Sequence, residues 1–218
     1  MKATYIFFFL VIVAKLCYSQ EEDELEQPSE LKGMLKVAKA YFRSNPYQVH
    51  FSTFLNHLMH DPTLSHTTIE KRTDTSLFSL QGQYGSHNPY GFKADKVEIR
   101  LVEETVNLED SVSKPDTLLF YQLLGYSYGD KSVATVKQEF ERFDRKYGHY
   151  FIESEVSELK PTGEAIGLVV NYFTKLASFS PLAMGWIKLG EHQAVFTVTF
   201  RMKVVDNLAT LPLSSHGD

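Results

Sequence analysis

Phe196-Thr197-Val198-Thr199-Phe200-Arg201-Met202-Lys203-Val204 alternates without a break between apolar and polar side chains. Successive side chains of a strand point to opposite faces, whereas a helix would scatter these five apolar residues around its circumference. The stretch therefore reads as an amphipathic antiparallel strand over 194–205. A second apolar run, 182–189, precedes it, and Gly190 to Gln193 joins the two as a hairpin loop. A sheet with one polar face is thus the frame into which the rest of the chain must fit.

Working back from this hairpin, strand signals occur at 164–174, which can also be read as helix, and at 149–157. Before them, Val133, Val136, Phe140 and Phe143 fall at helical spacing within 131–147, and Gly148 can close that helix. Residues 117–126 form a nearly continuous apolar run, as expected of a strand covered on both faces. Val97, Ile99 and Leu101 alternate with Glu98, Arg100 and Val102, and 74–84 places Phe78, Leu80 and Tyr84 on one face. The gaps between these early strands are only about 10–12 residues, short for a parallel crossover carrying its own helix. The sheet is therefore expected to be mostly antiparallel.

Two helices are predicted ahead of it. Over 30–43, Leu31, Met34, Leu35, Ala38, Tyr41 and Phe42 share one face, Ser29 can cap the start, and Lys32, Lys36, Lys39 and Arg43 line another face. A basic amphipathic helix of this kind can lie on an anionic membrane surface, although a solvated basic face is the commoner use of the pattern. Within 46–60, Phe51, Phe54, Leu55 and Leu58 form the apolar stripe, Asn45 or Ser52 is the cap, and Asp61-Pro62 is the stop. The predicted fold class is α+β. Two N-terminal helices lead into a mostly antiparallel curled sheet of about six or seven strands, with helix 131–147 packed on it. It forms one domain over 31–206, followed by a loose polar tail over 207–218. No internal repeat is visible in the residues.

The chain has 218 residues, 43% of them hydrophobic and 22% charged, which excludes a disordered protein. Residues 1–19 read as a secretory signal peptide: Lys2 is the positive head, Ile6 to Ala14 the apolar stretch, and Cys17 and Ser19 stand before a cleavage site at Gln20. A lipoprotein signal ending at Cys17 is the rival, disfavoured by Lys15 and Leu16 before the cysteine. Residues 20–30, with six acids and Pro28, are an acidic disordered spacer. Two of the 22 Lys and Arg leave with the signal, so the remaining 20 face 27 acids, a charge of −7. No basic stripe with interleaved aromatics occurs, which argues against a nucleic-acid partner. Loss of Cys17, the single cysteine, leaves a mature chain without disulfide, thiolate ligand or cysteine nucleophile. No N-x-S/T sequon is present either, and both absences tilt toward a bacterial envelope.

The signal ending in Ser19-Gln20, the Asp74-Thr75 and Leu77-Phe78 stretch and the His87-Asn88-Pro89-Tyr90 turn resemble uncharacterised exported proteins of Bacteroidota. The resemblance implies export to the periplasm or beyond and carries no activity.

Three constellations could carry chemistry. Gly125-Tyr126-Ser127-Tyr128-Gly129 fits G-x-S-x-G, in which a tight strand-to-helix turn lifts a serine nucleophile, and Asp144 with His149 or His192 follows in the order a hydrolase triad requires. Against this, the strands before it lack crossover helices and no His-Gly oxyanion segment lies upstream. The alternative is a glycine-bounded strand end. His50, His57 and His60, with His66 nearby, place imidazoles at spacings that suit Zn²⁺ or Cu²⁺, and Asp61 could add an oxygen ligand. A surface histidine arrangement without metal is the plainer reading. The loop Tyr84 to Phe92 collects Tyr84, His87, Asn88, Tyr90 and Phe92 where aromatic faces could meet a sugar ring or an apolar group, or tuck back on the core edge. The carboxylates Glu103, Glu104, Glu153, Glu155 and Glu158 have no partner placed by a motif. No P-loop, Rossmann fingerprint or EF-hand is present, and no cofactor is expected. The expected function is a non-enzymatic exported protein, binding or structural, whose partner is a small apolar or sugar ligand or another envelope protein. The alternative is a small secreted serine hydrolase acting through Ser127.

Overall fold

The computed structural model describes residues 29–42, 45–72, 77–84, 90–91, 93–106, 116–151, 153–160, 166–174 and 179–210. The signal, nearly all of the acidic spacer, His87, Asn88, Phe92 and 211–218 lie outside them. The described chain is α+β. Helices α1 (Ser29–Tyr41) and α2 (Phe51–Met59) lead into four strands, β1 (Leu64–Arg72), β2 (Leu77–Tyr84), β3 (Lys96–Val106) and β4 (Asp116–Tyr128). Helix α3 (Ser132–Tyr147) and a short 3₁₀ turn (Gly148–Tyr150) follow. Then come β5 (Glu153–Leu159), β6 (Gly167–Phe173), β7 (Leu182–Gly190), β8 (Gln193–Val205) and the three-residue β9 (Leu208–Thr210).

All strand pairs are antiparallel, in the order β1-β2-β3-β4-β8-β7-β6-β5, with β9 on β8. This exceeds the expected strand count by two or three. One addition is β1, whose Leu64–Arg72 stretch lacks a clean apolar alternation. The other is β9, which corrects the expected loose tail from 207: Ala209 is buried, and Asp206 and Asn207 at φ 50° and 64° make a tight two-residue turn back onto β8.

The alternation in β8 sets the inside of the sheet. Ala194, Phe196, Val198, Phe200 and Met202 are buried, while Thr197, Thr199, Arg201 and Lys203 occupy the other face in half-buried positions. The inner face receives the helices. Met34, Val37, Ala38 and Tyr41 of α1, Phe51, Phe54 and Leu58 of α2, and Val136, Phe140, Phe143 and Tyr147 of α3 join it in one apolar cluster. Phe42 sits at the centre, with its ring centroid 4.4 Å from Tyr121 and 4.5 Å from Phe200. The basic face of α1 keeps Lys32 and Lys39 exposed, but Lys36 donates to the Tyr150 hydroxyl and covers its ring. At Gly185 the sheet admits no side chain: a Cβ there would stand 2.2 Å from the Leu168 carbonyl oxygen.

The topology contains a duplication that the residues do not display. Each half is a helix followed by a four-strand meander, and the last strand of each half, β4 and β8, pair at the centre of the sheet. The registers obey the same symmetry. Tyr84 heads the cross-sheet row Tyr84, Val97, Gly125, Phe196, and Tyr172 heads the row Tyr172, Leu182, Phe200, Tyr121. A half-turn about the Leu123–Val198 pair carries one row onto the other.

Candidate functional site

Pro62 cannot continue a helix, so α2 stops and Asp61 lies between it and β1. The Asp61 carboxylate is gripped locally: its Oδ1 accepts from the Thr63 amide at 2.9 Å and from the Thr63 hydroxyl at 2.6 Å. Its Oδ2 accepts from the Tyr84 hydroxyl at 2.8 Å. From Tyr84 the oxygens continue inward, to Tyr90 at 3.4 Å and from there to Tyr121 at 3.5 Å. Asp61 and the three tyrosines are all buried.

Beside this row lies a cavity of about 440 Å³. Tyr84, Tyr90, Tyr121 and Asp61 line one side; Phe54, Leu58 and Pro62 supply apolar wall; Asn56, His57 and His60 stand exposed at its rim. The rings are fixed by neighbours: Tyr121 is stacked on Phe42 and edge-on to Phe54, with centroids 4.4 and 5.7 Å away, and Tyr84 meets Tyr90 edge-on at 5.5 Å. His60 turns Nδ1 to the Asn56 carbonyl at 2.9 Å. A carbonyl only accepts, so Nδ1 donates its proton in this contact.

Burial raises the hydroxyl pKa of Tyr84 far above its ordinary value, reinforced by Tyr90 and Asp61, and burial is also the main cause for Tyr90 and Tyr121. All three remain neutral phenols at physiological pH. The site can thus offer hydroxyl oxygens, a carboxylate and aromatic faces in one recess.

Its mate under the half-turn is Tyr172, whose hydroxyl donates to Asp144 of α3 at 2.8 Å. The second half thus ties its helix to its second strand with a tyrosine–aspartate bond, and the first half ties the α2–β1 junction to its second strand. In the second half Phe151 and Phe143 crowd Tyr172, with centroids at 5.1 and 6.2 Å. In the first half Tyr90 and Tyr121 extend the row, and the 9-residue α2 stands where the second half has the 16-residue α3.

The structure redistributes the residues singled out from sequence. It unites Tyr84 and Tyr90 of the loop candidate with His57 and His60 of the metal candidate in one cavity. His50 is separate: it precedes α2 and its backbone bridges to Leu208. Among the described residues no group of three or more His, Cys, Asp or Glu converges to hold a metal ion. The residues of the hydrolase candidate are placed as follows. Ser127 is buried within β4 opposite Ala194, and the chain turns only at Gly129, φ 86°. The motif is therefore a strand end without an elbow. Asp144 serves Tyr172, His149 stacks on Tyr150 with centroids 4.0 Å apart, and His192 pairs with Asp130 at 2.9 Å. Tyr121 was missed. The signal for it was a tyrosine in the middle of the nearly continuous apolar run 117–126. No protein-family model, curated protein or solved structure matches this chain.

Proposed function

We propose that this is an exported, non-enzymatic protein that binds a small organic molecule in the Asp61–tyrosine cavity. The observation that carries the reading is the cavity of about 440 Å³ with a buried hydrogen-bonded row along its side. That volume suits a small ligand, and the mixture of apolar wall with a few convergent polar groups is the usual make-up of a binding pocket. Export rests on the signal-like residues 1–19 and on the acidic, cysteine-free chain that follows them. A ring-shaped ligand, apolar or a sugar, would lie against the tyrosine faces with its polar edge toward their hydroxyls.

The test is NMR with assigned side-chain resonances and a panel of mono- and disaccharides and small apolar rings. The expected result is saturable shifts of His57, Tyr84 and Tyr90 for at least one class. Shifts confined to other surfaces, or none, overturn the reading.

A further inference from the structure

One apolar row crosses the sheet and ends differently at its two edges. Its members, pair by pair, are Gly82, Ile99, Leu123, Val198, Met184, Val170 and Val156. Ile99, Leu123, Val198, Met184 and Val170 are buried, whereas Val156 is 57% exposed. At the first edge the chain closes the row itself. Gly82 has no side chain, and Leu64 of β1 lies over it, so close that a Cβ there would stand 2.9 Å from the Leu64 side chain. β1 is also irregular between Ser65 and Thr68, a break in register of the kind that blunts an edge strand.

At the second edge neither device is present. β5 is the last strand in the sheet order and pairs with β6 through seven consecutive residues without a register shift. Glu155, Val156, Ser157 and Glu158 are all exposed, so both faces of the strand are open. Helix α3 packs on β4, β7 and β8, and Val156, on the same side of the sheet, lies two strands beyond β7.

The residues of this edge are complementary to themselves. A second copy can add its own β5 antiparallel, centred on Val156 so that the strands overlap along their full length. Val156 then faces the partner's Val156, Glu155 faces the partner's Ser157, and Glu158 falls opposite the partner's Ser154. A slip of one residue in one direction sets Glu155 against the partner's Glu158, and a slip in the other sets Glu153 against the partner's Glu158. Like charges directly opposite are destabilising. The acids therefore close off the slipped registers and admit the centred one. In that register the apolar row runs on from Val170 and Val156 into the partner's Val156, and the same patch serves both subunits, as a two-fold interface requires.

We propose that β5 is a self-association edge, at which two copies of this chain join their sheets through an antiparallel β5–β5 pair centred on Val156. The strand contributes seven residues a side, well below the roughly 20–30 of a standard interface, so association is weak and rises with protein concentration. The edge is separate from the Asp61–tyrosine cavity, which is lined from α2, β2 and β4 in the other half of the sheet.

Sedimentation equilibrium of the mature protein over a concentration series tests this, with hydrogen exchange of the amides over 155–158 followed in parallel. The wild type is expected to dimerise at high concentration, and exchange over 155–158 to slow as the dimer forms. Val156→Lys, at an exposed position, removes the apolar pair and sets two lysines face to face, and should weaken association at least about tenfold. Ser157→Glu sets a glutamate against Glu155 and should weaken it roughly fivefold, whereas Ser157→Lys sets a lysine there and should tighten it by a similar factor. The two Ser157 variants decide alone should Val156→Lys fail to fold. A wild type that stays monomeric at millimolar concentration overturns the proposal, and so does a dimer on which Ser157→Glu and Ser157→Lys act alike.

Discussion

Asn207 caps helix α2 from the far end of the chain. Its Oδ1 accepts from the Ser52 amide at 2.9 Å, its Nδ2 donates to the Ser52 hydroxyl at 2.8 Å, and its backbone carbonyl accepts from the Phe51 amide at 2.7 Å. The first amides of a helix have no partner within it. The residue before α2, His50, makes no side-chain cap, so the turn between β8 and β9 does the work. The helix that carries the cavity rim is thereby registered against the central strand of the sheet.

Replacing Asn207 with alanine should cost about 1–2 kcal/mol, the usual worth of an N-cap. The loss reads out in urea denaturation. Hydrogen exchange of the Phe51 and Ser52 amides should accelerate first, before that of β8. Equal acceleration everywhere would mean that the turn stabilises the fold without holding the helix.

The two tyrosine–aspartate bonds should be unequal. Tyr84→Phe strips an acceptor bond from a buried carboxylate and should cost about 1–3 kcal/mol. Tyr172→Phe leaves Asp144 on an exposed helix face, where water replaces the phenol, and should cost about 1 kcal/mol or less. Equilibrium unfolding of the two variants side by side checks the ranking.

Acid stability should depend on Glu98. Burial works against its charge, but Lys96, Tyr126 and Arg100 all hydrogen-bond the carboxylate, at 2.7, 3.0 and 3.0 Å, and hold its pKa below the ordinary 4.5. A folded-state pKa below the unfolded one gives stability that is complete above the unfolded value and lost as pH falls through the folded one. Glu98→Gln should therefore be less stable than wild type at neutral pH, with the gap closing below pH 4.5. The same cluster, with burial as the first cause, raises Tyr126 to about 12. That contribution is complete below the ordinary tyrosine value of 10.0 and is lost as pH rises through about 12. A Tyr126→Phe variant should accordingly show a shallower alkaline limb in the same pH series.

Folded protein should not be labelled by a fluorophosphonate. Ser127 lies within a paired strand, and His192 is bound to Asp130. Labelling that disappears in Ser127→Ala would support the hydrolase alternative.

The sheet was legible because its strongest strands carry their own pattern. The period-two alternation of Phe196 to Val204 is written in consecutive residues, and so is the helical stripe from Val136 to Phe143. Features that depend on distant partners were not. β1 is a strand because Leu64 to Arg72 pairs with β2, and its Thr, Glu, Lys and Arg mark no face. Asn207 looked like the start of a loose end because its cap partner is 155 residues away. The site was half legible for the same reason. Tyr84 and Tyr90 stood out as aromatics beside a Gly-Pro loop, whereas Tyr121 looked like strand packing and Asp61 like a helix stop. Only the fold brings a helix stop, two strands and a loop to one cavity.

The meeting of β4 and β8 at the centre of the sheet has a consequence for how the chain must be made. Tyr128 waits 65 residues for Gln193, and Leu119 waits 83 for Met202. Until β8 is available, the N-terminal meander ends in an unpaired edge that includes Leu118, Leu119, Phe120, Leu123 and Leu124, a template for joining another chain. Such late, long-range closure slows folding and lengthens the exposure of that edge. The nascent protein is thus kept from finishing its own sheet until β8 has emerged.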